Sequence, residues 1–307
     1  MKFLVTGGAG FIGSNIVKLV LKKGHNVDVL DNLHVGKIEN IEDIMDKINF
    51  FQTDTKDREG LDKIIKNYDG IFHEAALTSV PESFEKSKEY YDVNVIGTKN
   101  IFEIANREKI RVVYASSSSI YGNTTQIPIK ESFERKPINP YGQTKLDDEI
   151  LAEKFEDLSV IGLRYFNVYG IGQNISYAGV ITKFLEQIKN KKQLTINGNG
   201  NQVRDFIQVK DIAKANLSAM ESNIKKSFLN VGTGISTSIK DLAKMMIELS
   251  NSENEIIYGP ELEGDIESSQ ANMEFTKKSI NWDHEIQLKE GLTELIQNTI
   301  NFDKSNS

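Results

Sequence analysis

Apolar and polar residues alternate along the first half of the chain in two rhythms that repeat in turn. Residues 2–6 are a β-branched and apolar run suited to a buried strand, and residues 11–21 carry apolar positions at helical spacing. Strand-like runs return at 26–30, 49–53, 70–73, 111–115 and 159–165, with helical patterns at 57–68, 88–107 and 140–156 between them. Strand and helix in alternation predict a parallel sheet with right-handed crossovers and helices on its faces. Beyond residue 165 the rhythm loosens. A helix is expected over 177–189, a short strand over 194–196, a polar glycine-bearing turn over 197–206, and strands over 205–209 and 227–231. The apolar positions 239, 242, 243, 246 and 249 fall on one face of a helix over 238–249, and an amphipathic helix over 288–302 closes the chain. The expected organisation is a dinucleotide-type domain over 1–165, to which later segments return, a mainly substrate-binding α/β lobe over 166–303, and a tail over 304–307.

The junction of the first strand and first helix carries the chemistry. Residues 6–14 read TGGAGFIGS, with Gly7, Gly10 and Gly13 at intervals of three. A glycine-rich turn between a strand and a helix lets backbone approach a pyrophosphate, and the helix N-terminus supplies free N–H groups and positive dipole character. The spacing is a variant of the Rossmann fingerprint, so the fold class is a Rossmann-type doubly wound α/β sheet. Asp31 closes the second strand, where an acid accepts hydrogen bonds from ribose hydroxyls and repels a 2′-phosphate. The expected cofactor is therefore NAD rather than NADP.

Composition narrows the setting. At 307 residues the chain can bury a large core, and 39% hydrophobic with 26% charged residues is ordinary for a globular protein. A net charge of -7 and a pI near 5.3 argue against a nucleic-acid surface. There are no cysteines, which removes disulfides and thiolate chemistry, and the four histidines lack ligand-like spacing, so no metal is expected. A strand beginning at residue 2 and the lack of a long apolar run lead us to expect a cytoplasmic protein with no membrane association.

Two further stretches suggest catalysis. The fifth strand ends in the serine run 116–119, whose hydroxyls stand where an open sheet binds ligands. Asn139 and Pro140 then suit the N-cap and first position of a helix. Tyr141 and Lys145, four apart on that helix, project from one face. An ammonium beside a phenol favours the phenolate and draws its pKa from about 10 toward neutrality, which makes a general acid/base.

Taken together these motifs resemble the extended short-chain dehydrogenase/reductases, specifically the NAD-dependent sugar-nucleotide epimerases. The resemblance also rests on HEAALTSVPES at 73–83, NVIGT at 94–98, SSSSIYG at 116–122, NPYGQTK at 139–145, LRYFNVYG at 163–170, QVRDFIQVKD at 202–211 and LNVGTG at 229–234. It implies Tyr141 as acid/base at the sugar 4-hydroxyl, Lys145 as its partner and Ser117 as the hydroxyl that hydrogen-bonds the reacting group. Gly7, Gly10, Phe11, Ile12, Gly13, Asp31, Asn32, Asp54, Thr55, Ala75, Tyr141, Lys145 and Tyr165 would hold NAD. Ser79, Ser117, Asn167, Gln202, Arg204 and Ser269 would face a nucleotide-sugar substrate, with Arg204 clamping phosphate oxygens. The implied reaction is C4 epimerisation through a transient 4-keto sugar, with hydride lent to NAD and returned.

The chain departs from the family pattern in three places. Ser118 and Ser119 stand where related dehydratases carry an Asp-Glu pair, which disfavours water elimination. The resemblance implies a UDP-hexose, UDP-glucose or UDP-galactose, as substrate, but Leu262, before Gly264-Asp265, replaces an arginine expected on the diphosphate and weakens the assignment to UDP. Ser269 is small at the position that gates sugar size, which is permissive for N-acetylated sugars as well as plain hexoses. Other extended-family reactions stay open: uronate epimerisation, decarboxylation or keto-sugar reduction. So does a non-catalytic sensor. The resemblance also implies a homodimer formed through helices 88–107 and 140–156.

Overall fold

A computed structural model describes the chain except for residues 175–178, 262–265 and 305–307, and the side chains of residues 300–304. Its strands are β1 Lys2–Thr6, β2 Asn26–Asp31, β3 Phe50–Gln52, β4 Gly70–His73, β5 Arg111–Ser117, β6 Val160–Tyr165, β7 Asn167–Tyr169, β8 Leu194–Asn197, β9 Val203–Gln208, β10 Lys226–Val231, β11 Ser236–Ser238 and β12 Ile256–Gly259. The helices are α1 Phe11–Lys22, α2 Arg58–Ile64, α3 Val80–Glu85, α4 Ser87–Tyr90, α5 Gly97–Glu108, α6 Pro140–Lys154, α7 Val180–Lys189, α8 Val209–Glu221, α9 Ile239–Ser250, α10 Glu274–Ile280 and α11 Leu288–Lys304.

Seven strands make one parallel sheet in the order β10-β6-β5-β4-β1-β2-β3. Six of them reproduce the doubly wound order, with the reversal of winding between β1 and β4. β10, from residues 226–231, extends the far edge beside β6. Helices cover both faces. One core layer gathers Phe3, Val5, Val17, Phe72 and Ile212; the other gathers Leu4, Leu30, Ile71, Phe102 and Tyr114. The central strands are buried on both faces, and for that reason they read as continuous apolar runs rather than alternating ones. A separate cluster built on Phe184, Leu194, Leu242, Met246 and Leu292 forms the core beneath the small sheets β11-β9-β7 and β12-β8.

Three expectations change. The helix expected over 88–107 is α4 and α5 joined by a wide π turn, Tyr91–Ile96, with α3 ahead of them. The helix expected to reach residue 68 ends at Ile64, and Asn67 turns the chain with a φ of 59°. The strand expected at 205–209 is β9, which starts at Val203, and Val209 opens α8 instead. Tyr177, expected to start a helix, lies outside the described residues; α7 begins at Val180.

Candidate active site

A cleft of about 620 Å³ opens at the carboxyl ends of the strands, over the reversal between β1 and β4. Gly7, Gly10, Phe11, Ile12 and Gly13 form one wall. Gly13 is obligatory, since an added Cβ would meet the Gly7 carbonyl oxygen at 2.2 Å. Gly7 itself has a φ of +67° and lies against the backbone of Ala75. No acid sits in the first turn of α1 and no side chain caps it, so that wall offers backbone N–H groups and dipole to an anion.

Asp31, Asn32, Asp54, Thr55 and Ala75 line the same cleft. The Asp31 carboxylate accepts the N–H groups of Ala9 at 3.0 Å and Leu33 at 2.8 Å, while burial still holds its pKa above the ordinary value. Each oxygen keeps a lone pair for a ribose hydroxyl. Asn32 donates to Asp54 at 3.0 Å, which ties the ends of β2 and β3 together around that acid. The donor set, the acid at the end of β2 and the glycine wall fit a dinucleotide without a 2′-phosphate.

Tyr141 and Lys145 share the inward face of α6. The Asn139 side chain caps this helix by accepting the Gly142 N–H at 2.7 Å, and Pro140 takes the first position. Tyr141 is half-buried and Lys145 is 3% exposed. Ser117 closes β5; its Oγ accepts the Ser119 N–H and donates to the Ser119 hydroxyl, both at 3.1 Å. A Cβ on Gly142 would come within 2.7 Å of the Ser119 carbonyl oxygen. The turn after Ser117 is thereby pressed against the turn of α6 that carries Tyr141.

Several groups here were not singled out from sequence. Glu74 lines the cleft just past β4 and accepts the Tyr165 hydroxyl at 3.1 Å; burial pushes its carboxyl up to about 7, while the Tyr165 hydroxyl and Lys145 pull it back. Tyr165 also accepts from Asn216 at 2.7 Å and stands beneath the cleft rather than in its wall. Asn94, fully buried in the π turn, clamps both backbone groups of Leu77 and donates to Thr144 at 3.0 Å, joining the loop after β4 to α6. Behind α6, Arg164 holds Glu149 through two bonds of 2.8 Å, and Ser116 donates to the same carboxylate at 2.7 Å.

A second cleft, of about 340 Å³, is lined by Asn167, Gln202 and Arg204, and it shares Gln173 with the first. Ser79, Ser117 and Ser269 are not in its walls. Ser79 caps α3, accepting the Glu82 N–H at 3.3 Å, and Ser269 is buried with its N–H on the Val203 carbonyl at 3.1 Å, beside Arg204. Leu262 and the Gly264-Asp265 pair lie outside the described residues. Among the described residues no cluster of His, Cys, Asp and Glu is arranged for a metal, and no helix is long and apolar enough to cross a membrane.

A glycine-walled cleft at the sheet reversal, a ribose acid and a Tyr-Lys pair beside it define a dinucleotide-dependent α/β enzyme. A family model described as "NAD dependent epimerase/dehydratase family" matches residues 3–232, and the chain belongs to this family of extended short-chain dehydrogenase/reductases. It is 37% identical over 311 residues to the protein named "Putative UDP-glucose 4-epimerase" of Methanocaldococcus jannaschii, covering 99% of both. Among solved structures, the UDP-N-acetylglucosamine 4-epimerase of Methanobrevibacter ruminantium M1 in complex with UDP-N-acetylmuramic acid is 35% identical. It superposes with a TM-score of 0.93 over 98% of each chain. The UDP-glucose 4-epimerase of Thermotoga maritima with UDP-glucose gives a TM-score of 0.94 at 32% identity over 100% of each chain.

Proposed function

We propose that this protein is an NAD-dependent 4-epimerase of UDP-hexoses that admits N-acetylated sugars. The observation that supports the reading is the pair Tyr141 and buried Lys145, four apart on α6, with Lys145 near enough to act on Glu74 in the wall of the first cleft. Bound NAD supplies a hydride acceptor at the sugar C4 and then the hydride donor for the opposite face. Tyr141 as phenolate takes the C4 hydroxyl proton and gives it back. Ser117 hydrogen-bonds that hydroxyl, and Lys145 stabilises the phenolate and binds the nicotinamide ribose. Asn167, Gln202 and Arg204 hold the nucleotide diphosphate in the second cleft, on the lobe of residues 166–303. Ser269 leaves room for the N-acetyl group, in keeping with the similar epimerase named for UDP-N-acetylglucosamine.

The same reading includes a homodimer. Phe84, Tyr91, Ile96 and Ile150 are exposed apolar residues on α3, the π turn and α6, and these elements pack together. Such residues on one helical layer suit an interface with a second copy.

The test is turnover of UDP-glucose and UDP-N-acetylglucosamine with no added NAD, products being read by proton NMR. The C4 epimers are expected from both sugars. A Tyr141→Phe variant should lose about 10²- to 10⁴-fold in kcat while retaining bound NAD. Product formed only with added reduced cofactor, or a decarboxylated sugar, would overturn the assignment.

A further inference from the structure

Behind the catalytic pair stands a second acid that the proposed reaction does not use. Asp148 lies one turn beyond Lys145 on α6 and is wholly buried. Its Oδ2 is 3.4 Å from the Lys145 ammonium; its Oδ1 is buried and, although the Thr98 hydroxyl is turned toward the carboxylate, receives no hydrogen bond among the described residues. A carboxylate oxygen left unpaired in the interior is costly, and packing alone gives no reason to keep one.

We propose that Asp148 is a positioning residue for the reaction: its carboxylate holds the Lys145 ammonium from behind and offsets part of the ammonium's field at Tyr141, so that the acid sets the pH range over which Tyr141 exchanges its proton. This rests on Tyr141 being the acid/base of the proposed epimerase.

Few other charges face Asp148 and Lys145. On α6 itself the neighbours are Lys145 and Asp147; from β4 His73 comes near Lys145, and just past β4 the Glu74 carboxyl, which accepts the Tyr165 hydroxyl, acts on Lys145 as well; from β5 the buried Tyr114 hydroxyl faces the Asp148 carboxylate, and from α5 the Thr98 hydroxyl does. His73 is held between Thr6 at 2.6 Å and Thr98 at 2.9 Å, and burial, then Lys145, keep it neutral. Charges on the other elements packed on α6 are spent elsewhere. Glu82 pairs with Lys86 and accepts Tyr90, Asp92 pairs with Lys88, and Glu149 pairs with Arg164. In the turn after Ser117, Tyr121 accepts from Arg164.

Burial pushes the Asp148 carboxyl up to about 7, while Lys145 and Thr98 pull it toward ionisation. The acid therefore changes charge in the range where the tyrosine must work. Below that range it is neutral and the ammonium acts on Tyr141 in full. Above it the carboxylate opposes phenolate formation, so the two titrations repel one another.

Asp148→Asn keeps the shape and removes the charge. In the NAD-loaded protein, tyrosinate absorbance, blanked against Tyr141→Phe, is expected to appear about one pH unit lower in the variant and over a narrower range. The acidic limb of kcat/KM should move with it. The absorbance readout stands even if the protein proves to be no epimerase, whereas an unaltered or upward-shifted tyrosinate titration overturns the role of Asp148. Should the variant fail to fold, the coupling is read in reverse. Carboxyl-¹³C aspartate NMR of the NAD-loaded parent should show one aspartate titrating near neutrality, and it should move to lower pH in Tyr141→Phe. Aspartates that titrate identically in both proteins overturn the proposal.

Discussion

His73 lines neither of the two clefts, yet it fixes how the ends of β1 and β4 meet. It stands opposite Thr6 in the parallel register, and each ring nitrogen is taken by a threonine hydroxyl. Burial first, and the nearby Lys145 second, draw its pKa down to about 3. An unfolded histidine protonates near 6.5, so between about 3 and 6.5 the unfolded chain binds more protons than the folded one. The sign follows: stability from this group is full above pH 6.5 and falls as the pH drops through that window, by about 1.4 kcal/mol per unit. Asn at position 73 keeps polar contacts but does not titrate. The parent's advantage over His73→Asn, measured by urea unfolding, is therefore expected to shrink between pH 7 and pH 4.5. An advantage constant with pH would show that the imidazole is not held neutral.

At the scale of the element, α6 is held more firmly by what lies behind it than by its own amphipathicity. The Arg164–Glu149 pair is 3% and 0% exposed, doubly bonded, and ties the helix to β6, while Ser116 ties the same carboxylate to β5. Removing Arg164 leaves the buried Glu149 carboxylate only Ser116 and the partly exposed Arg135, at 3.2 Å, in place of its doubly hydrogen-bonded partner. Arg164→Met is expected to cost about 3–5 kcal/mol, read by chemical denaturation, and Arg164→Met with Glu149→Leu should recover much of that loss. This anchoring was not legible beforehand. The lining of the first cleft is legible in the sequence, because Gly7 to Gly13, Asp31 and Asp54 each stand at the end of a strand that its own apolar run announces. Glu149, Asp148 and Asn94 gave no such signal, since their partners come from distant segments and an acid within a helix reads as solvated surface. The start of β9 is hidden for a related reason. Arg204 and Asp205 interrupt its apolar pattern, Arg204 because it faces the second cleft and Asp205 because it is buried to receive Thr233, Gly234 and Ala271. The π turn is hidden because Asn94 reaches Leu77 and Thr144 only when the helix widens, and no local preference announces that.

Across the whole molecule the two clefts meet at Gln173, one built by the large sheet and the other by the small sheets, so their walls rest on different cores. Helix α6, with Tyr141, packs on the π turn, with Asn94, and on α3, and the far side of these elements is outer surface. On that surface Phe84 is 59% exposed, Tyr91 46% and Ile150 37%, values that leave large apolar groups in water. Burying each against a second copy is worth roughly 1–2 kcal/mol at about 25 cal/mol per Å². A charge placed among them would have to be desolvated on association without a partner, which costs several times as much. Phe84→Lys with Ile150→Lys is therefore expected to sediment as a monomer of 34.6 kDa where the parent sediments at twice that mass. Neither residue touches the NAD cleft, so the monomer should keep its bound NAD and its circular dichroism. A parent that sediments as a monomer at micromolar concentration would rule out this face as a stable dimer interface. A double variant that stays dimeric would move the interface to another part of the surface.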